Sequence, residues 1–504
     1  MSSSPSPSAP PGSLWRHALE GGLSVVAAVV TMAAAAWAAL AVLGAGTIAP
    51  VSRLVPTMVS MAVGGGVTME SVPSAESADA GGLGGGGLGG LLGGLGGGGG
   101  LHLGLTGEAA LTPLTLTFLG TAVLAVVFFR PLYRRQRPAP AMLWARCGGV
   151  VVTTAVVFPV LAAMARGTAR LPESVTERFG KGASAGAFSR FTGGGGGLAS
   201  GLSSVTFETD AVATALFALL WVGLVLAVGC VAARRTTLPR PLALGRLRLK
   251  WNAVASTLTG IAAVLCCSAA AVALLAGAAV LTGREQAAKA AGILLLAGPN
   301  LIVVLFTAGL GTSWEAGVYR LRSDGGGMLG MLGGGAQGGA AGRDRSVNLG
   351  AWSGAGVPLW LIGILLMLLL VVVAGYVAAA RTPARTPRED SEAVLDRHAE
   401  IAVRMGIAVG IAALVLPSVA GGSLRIGISL MGNEMGGLSA GLDAHPGLSA
   451  LTGFVLAVLG AYGGSRLHSR RARHRNGAAQ PPGTATRRPV GARSASRASS
   501  DSVS

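Results

Sequence analysis

Charged and aromatic residues are scarce in this sequence: of its 504 residues, 12% are charged and 5% are aromatic, while 51% are hydrophobic. The apolar residues gather into blocks about as long as a bilayer is thick. No stretch between these blocks carries enough amphipathic pattern to build a water-soluble core. The scarcity therefore excludes a string of soluble domains, and we expect one membrane domain.

Catalytic and metal-binding motifs are also missing. The four cysteines have no C-x-x-C spacing, the six histidines have no i, i+4 pair, and no G-x-x-x-x-G-K-[ST] loop occurs. These absences exclude a disulfide framework, an H-E-x-x-H metalloprotease and a P-loop nucleotide site. We expect no catalytic residue, no cofactor and no metal, and hence no enzyme.

Nine continuous apolar blocks are long enough to span a bilayer. Continuous blocks of this length indicate helices, because a membrane strand needs only about 9–11 residues of alternating polarity. The predicted fold class is therefore all-α, a polytopic transmembrane helix bundle. The blocks cover 19–46, 111–129, 147–165, 211–232, 253–281, 291–311, 357–380, 401–420 and 447–464.

Basic residues cluster after the second, fourth, seventh and ninth blocks, and the chain carries a formal net charge of +18. Beside apolar blocks such clusters fix membrane orientation, so we expect no nucleic-acid partner. All four clusters can be cytoplasmic only if one of the three blocks between Lys250 and Arg381 does not cross. Block 291–311 is the candidate, because Pro299 near its middle removes a helical hydrogen bond. The prediction is about eight spanning helices plus one broken or re-entrant helix.

The outer connections predicted by this topology are rich in glycine: 81–100, 191–205, 325–342 and 421–442. They suggest four repeated helical hairpins capped by Gly-rich outer loops. The predicted division of the chain is a disordered cytoplasmic N-terminus over 1–17, a transmembrane helical domain over 18–465 and a basic disordered cytoplasmic tail over 466–504. The first block is interpreted as an uncleaved signal anchor, with cleavage near Ala45–Ala49 as the alternative.

Ionisable residues are absent from the centres of the blocks. Glu20 and Arg404 lie about one turn inside their blocks, and Asp210 lies at an outer end. We interpret all three as interfacial anchors or helix N-terminal charges. Trp314 is interpreted as an interfacial anchor as well.

Pro299 and Asn300 are the one pair of residues for which the sequence suggests a mechanism. Where a helix breaks inside a membrane protein, its freed backbone groups can bind an ion or a polar solute, and Asn300 could add an amide donor and acceptor. We therefore take Pro299 and Asn300 as a possible solute-binding site. The alternative is that Asn300 only satisfies backbone groups that Pro299 leaves open.

Two segments carry a resemblance to a known family: LTPLTLTFLGTAVLAVVFFRPL at 111–132 and AGPNLIVVLFTAGLGTSW at 297–314. With these segments the chain resembles the streptophobe family of very hydrophobic actinobacterial membrane proteins, over most of residues 18–465. The resemblance implies a helical plasma-membrane protein and implies no activity.

The leading hypothesis from the sequence is a non-enzymatic envelope or scaffold protein of the plasma membrane, multi-pass, with both termini cytoplasmic. Its expected partners are the lipid bilayer and, in addition, other membrane proteins or further copies of the chain. The alternative is a small-solute or ion permease that uses the broken helix at Pro299 and Asn300. A third possibility is a lipid-handling enzyme at the outer surface.

Overall fold

Long apolar helices dominate the computed structural model of the chain. The structure describes residues 11–71, 103–134, 139–170, 204–233, 246–280, 285–310, 312, 314–322, 345–348, 353–354, 357–383, 395–430 and 433–478. Within these ranges, nine helices are long and apolar enough to cross a membrane. The predicted helical membrane bundle is confirmed at this level.

Ten α-helices are present in the described residues, and the predicted blocks match nine of them closely. Block 211–232, for example, coincides with the helix Ala211–Ala232. The tenth helix has 12 residues and is too short to span a bilayer. In chain order the helices are α1 (Pro11–Leu43), α2 (Val51–Ala62), α3 (Leu114–Arg134), α4 (Pro140–Met164), α5 (Ala211–Ala232), α6 (Arg246–Val280), α7 (Glu285–Gly309), α8 (Leu359–Arg381), α9 (Arg397–Ala420) and α10 (Pro446–Ala478).

An eight-stranded antiparallel sheet joins the connections between the helices, so the all-α prediction holds for the bundle and fails for its connections. The spatial order of its strands is β3-β4-β1-β2-β9-β10-β5-β6, and β7 pairs with β8 in a separate two-stranded sheet. The strands are β1 (Val67–Ser71), β2 (Leu103–Leu111), β3 (Gly167–Arg170), β4 (Ser204–Thr209), β5 (Trp314–Arg322), β6 (Arg345–Asn348), β7 (Ser353–Gly354), β8 (Val357–Pro358), β9 (Gly422–Leu430) and β10 (Asn433–Ala444).

Short alternations of apolar and polar residues explain these strands. In β4, Val205 and Phe207 are buried while Thr206 and Glu208 are exposed, which is the period of two that a half-buried strand requires. The predicted loop 421–442 is in fact the paired strands β9 and β10. The predicted loops 81–100 and 325–342 lie outside the described residues, as do residues 191–203 of the predicted loop 191–205, whose last two residues begin β4. Backbone pairing with neighbouring strands therefore replaces a loop in the one connection that is described throughout most of its length.

The sheet order repeats once along the chain. In the first half the hairpin β3-β4 stands beside β1-β2, and in the second half β9-β10 stands beside β5-β6 in the same sense. The helices follow the same plan. In chain order, each half has two helices, a β-hairpin, two more helices, a second β-hairpin and a final helix. By this correspondence the short helix α2 is the counterpart of α7. The repeating unit thus contains two β-hairpins and occurs twice, whereas the sequence suggested four units with one outer connection each.

Glycine pairs bring the helix backbones together. The helices α1 and α4 approach so closely that a Cβ at Gly149 would lie 1.9 Å from the carbonyl oxygen of Ala18, and one at Gly21 would lie 2.2 Å from that of Arg146. In the second half, a Cβ at Gly464 would lie 2.1 Å from the carbonyl oxygen of Val372. Small residues at such interfaces allow the dense packing that membrane helices depend on. Two apolar cores result, one among α1 to α5 and one among α6 to α10.

Seven helices have one end joined to the sheet by a few residues, and we call this end of the bundle the sheet end. α7 lies across it. Its Gly292 adjoins Leu43 at the sheet end of α1, and its Leu296 accepts a hydrogen bond from Thr115 in the first turn of α3. Further along, Gly309 adjoins Gly363 near the sheet end of α8. All of these contacts lie near one end of the bundle, although α7 is long enough to run its full length.

Two predictions, a break in one helix and disorder at the two ends of the chain, are corrected. α7 is helical without interruption from Glu285 to Gly309, so the predicted break at Pro299 and Asn300 is wrong, although Pro299 lies inside the helix. Residues 11–17 and 466–478 are helical rather than disordered, as parts of α1 and α10. Arg and Ala are strong helix formers, which explains the continuation of α10 into its basic segment. Residues 1–10 and 479–504 lie outside the described ranges.

Candidate functional site

The Asn300 side chain connects three elements at the sheet end. Its Oδ1 accepts the backbone N–H of Leu114 at 3.0 Å, and its Nδ2 donates to the carbonyl oxygen of Thr112 at 2.8 Å and to that of Ala420 at 3.5 Å. Leu114 begins α3 and Ala420 ends α9, so both groups lack partners within their own helices. Asn300 therefore satisfies the backbone of neighbouring helices and not that of α7.

These contacts use most of the hydrogen-bonding capacity of Asn300. A primary amide offers two N–H donors and an oxygen with two lone pairs, and three of these four positions are occupied. A solute would have to replace a bond between helices in order to bind there. The chemistry of this site is that of a structural clamp.

A small crevice lies beside Pro299. It lies between α3, α6 and α7, and apart from the Thr115 hydroxyl and the Cys266 thiol its lining side chains are hydrocarbon. The Thr115 hydroxyl already donates to the carbonyl oxygen of Leu296 at 2.9 Å. The crevice offers little polar chemistry to an ion. Its lining residues are Thr115, Phe118, Leu119, Cys266, Ala270, Leu294, Leu295 and Pro299.

A buried ionic cluster joins α1, α3 and α4, and sequence reasoning missed it. Arg146 is 1% exposed, and its Nη2 lies 3.2 Å from Glu20 Oε2. The Nδ1 of His17 lies 3.3 Å from the same oxygen, and the guanidinium carbon lies 5.6 Å from the ring centre of Phe128. The predicted block 147–165 left Arg146 just outside its helix, in the basic connection after the second block, whereas it lies in the second turn of α4. The available signal was an acid at the start of the first apolar block and a base directly before the third.

The two other ionisable residues singled out in the sequence, Asp210 and Arg404, have structural partners. Asp210 caps α5, because its Oδ1 accepts the N–H of Val212 at 2.8 Å, so its prediction as a helix N-terminal charge is confirmed. Arg404 forms an ion pair with Glu400 and donates to the carbonyl oxygen of Lys250 at 2.8 Å. Trp314 is fully buried and its Nε1 donates to the hydroxyl of Thr307, so its prediction as an interfacial anchor is wrong.

The sheet presents one apolar and one polar face. The apolar face packs on α2 through Val67, Ala109 and Phe207. On the opposite face a row of side chains crosses successive strands in register: Glu208, Thr68, Glu108, Arg425, Ser439 and Tyr319. The first four of these are exposed. We call this surface the polar sheet face.

Charges on the polar sheet face are partly compensated. Glu208 pairs with Arg166 at 3.6 Å, with both side chains more than half exposed. Glu108 lies opposite Arg425 across β2 and β9. Asp443 and Glu315, by contrast, are directly opposite each other across β10 and β5. Among the described residues, no group of three or more His, Cys, Asp or Glu side chains could hold a metal ion.

Comparison with known protein families, curated proteins and solved structures finds no match to this chain.

Proposed function

We propose that this protein is a non-enzymatic scaffold of the plasma membrane that presents the polar sheet face to partners in the cell envelope. The observation that carries the proposal is the convergence of all four outer connections on one sheet. A bundle that served only to span the membrane would not need its connections paired in register. The sheet gives the membrane domain a single ordered polar surface.

The proposed topology has eight crossings and both termini in the cytoplasm. The contacts of α7 with the sheet ends of α1, α3 and α8 support a helix that lies across the bundle. At the opposite end, Arg381 donates to the carbonyl oxygen of Ser256 and Arg404 to that of Lys250, so basic residues from three helices meet there. Positive charge favours the cytoplasmic side, which makes the sheet extracytoplasmic. Membership of the streptophobe family stays a prediction.

The chemistry of the polar sheet face suits protein or polymer contacts better than catalysis. Its exposed Thr, Glu and Arg side chains offer hydrogen bonds over a broad surface. Exposed charges of this kind contribute more to partner selection and association rate than to affinity. Partners of this kind include other membrane proteins and further copies of the chain.

The permease hypothesis receives no support from the geometry around Pro299 and Asn300. Asn300 already bonds three backbone groups, and the adjoining crevice is largely apolar. The permease hypothesis predicts that Asn300→Ala abolishes a measurable solute flux without loss of expression. The scaffold hypothesis predicts that the same change lowers stability and alters no flux.

Photocrosslinking in cells tests the scaffold proposal. A photoreactive amino acid is placed at Thr68 or Glu208 on the polar sheet face, and at Leu220 on α5 as the control. Leu220 is 68% exposed on an apolar helix, so it should face lipid. The scaffold predicts discrete protein adducts from the two sheet positions and none from Leu220. An adduct of twice the chain mass would identify a second copy as the partner.

Flux measurements in proteoliposomes test the permease alternative. No adduct from either sheet position, together with a solute flux that Asn300→Ala abolishes, would replace the scaffold with a permease. A hydrolase or transferase activity of the purified chain would also overturn the proposal.

A further inference from the structure

The last part of α10 is a basic helix that continues beyond the apolar segment. The apolar block ends near Gly464, whereas the helix continues to Ala478. Arg466, Arg470 and Arg473 follow one another at spacings of four and three residues, which places them within about 60° of each other around the helix. All three are exposed. We call these three residues the arginine stripe.

The arginine stripe differs from other arginines at this end of the bundle. Arg381 donates to the carbonyl oxygen of Ser256 at 2.8 Å, and Arg397 donates to that of Thr382 at 2.6 Å. These side chains donate to backbone carbonyl groups within the protein. The stripe guanidinium groups make no hydrogen bond or ion pair with other residues in the part of the chain that the structure describes. Their donors remain available to an external partner.

Aromatic rings orient the basic side chains at the start of this segment. The guanidinium carbon of Arg466 lies 4.8 Å from the ring centre of Tyr462. That of Arg471 lies 5.9 Å from the ring centre of Tyr376. A guanidinium carbon held over a ring face keeps its N–H groups available, and the planar fork of Arg matches phosphate oxygens.

We infer that the arginine stripe binds the phosphate groups of anionic lipids in the leaflet at this end of the bundle. The stripe begins two residues after the apolar block and extends roughly 10 Å along the helix, close to the Debye length of about 8 Å in physiological salt. Leu467 beside it is 48% exposed. An exposed leucine among arginines is typical of a helix at the bilayer interface and offers nothing to a nucleic acid.

Lipid binding to the purified full chain tests this inference. The protein is held in micelles of a zwitterionic detergent, and short-chain phosphatidylglycerol or phosphatidylcholine is titrated while native mass spectrometry counts the bound lipids. Each arginine near an anionic surface contributes about 1 kcal/mol, so R466Q/R470Q/R473Q should weaken phosphatidylglycerol binding on the order of 100-fold. Phosphatidylcholine binding should not change.

A second triple variant controls for net charge. R53Q/R166Q/R425Q removes three exposed arginines at the sheet end and should leave phosphatidylglycerol binding within about two-fold, because those charges lie more than a Debye length away. Size-exclusion elution of both variants checks that they remain folded. R466K/R470K/R473K should retain only part of the preference, because the charge is kept and the planar fork of Arg is lost.

Four results would overturn the inference. The first is equal affinity of the wild-type chain for the two lipids, and the second is an equal loss of phosphatidylglycerol binding in the control triple variant. The third is displacement of phosphatidylglycerol by equimolar inorganic phosphate. The fourth concerns polyuridylate as an RNA probe: R466Q/R470Q/R473Q would lose polyuridylate binding and keep its lipid preference.

Discussion

The ion pair between Glu20 and Arg146 should respond asymmetrically to the loss of each partner. Arg146 is 1% exposed and the Glu20 side chain is 43% exposed. Glu20→Gln leaves the arginine charge buried without its carboxylate, which costs about 3–5 kcal/mol. Arg146→Gln leaves a carboxylate that water can reach, so its cost is about 1–2 kcal/mol, from the lost ion pair and the lost contact with Phe128.

The assay is unfolding of the purified chain in mixed micelles with increasing dodecyl sulfate, followed by loss of helical circular dichroism. The double variant E20Q/R146Q should be more stable than E20Q alone, because it removes the buried charge that E20Q leaves. Equal destabilisation by the two single variants would refute the burial argument. So would a double variant whose loss equals the sum of the single losses, since interacting residues must show coupling.

The same unfolding assay checks three further predictions. Gly149→Ala should destabilise by about 1–3 kcal/mol because its Cβ would overlap the backbone of α1. The control Gly148→Ala has open space around its Cβ and should be neutral or gain up to about 1 kcal/mol of stability. Equal effects of the two changes would contradict the contact between α1 and α4. Asp210→Ala should lose about 0.5–2 kcal/mol of capping energy and Asp210→Ser should recover most of it, and no recovery would exclude a capping role. Asp443→Asn should stabilise by about 0.2–1 kcal/mol because it removes repulsion from Glu315, and a loss of stability would show that the two carboxylates do not repel.

Helix positions were predictable because their signal is local and long. Block 401–420 lies within the helix Arg397–Ala420, and block 211–232 coincides with its helix. The Asp210 cap was also predictable, because an acidic residue directly before an apolar block is a local signal. The proposal that α7 does not cross came from the distribution of arginines, and the contacts of α7 with helix ends support it independently.

The sheet escaped prediction because its pattern is short and its pairing is distant. Strand β1 has five residues, and its partners in β2 and β4 follow after long intervals of sequence. Periodicity over so few residues is weak, and glycines in β9 and β10 dilute it further. The interpretation of Gly-rich segments as caps ignored the alternation of Leu424, Ile426 and Ile428 along β9.

Pro299 and Asn300 were singled out for a local reason, whereas the contacts of Asn300 are distant in sequence. Pro299 drew attention because proline disfavours a helix interior, yet α7 continues through it. The partners of Asn300 lie 120 to 188 residues away in sequence, so no local pattern could reveal them. Arg146 was missed because a loop boundary inferred from hydropathy placed it outside the helix that contains it.

Cysteine accessibility most directly tests the proposed topology, in which the sheet is extracytoplasmic and α7 lies across the bundle. In a variant without the four native cysteines, single cysteines replace Glu208 on the polar sheet face, Lys289 near the start of α7, or Arg473 in the arginine stripe. All three positions are exposed. A membrane-impermeant maleimide should label positions 208 and 289 in intact cells, and position 473 only after permeabilisation. Labelling of position 289 only after permeabilisation would mean that α7 crosses the membrane, which contradicts this topology.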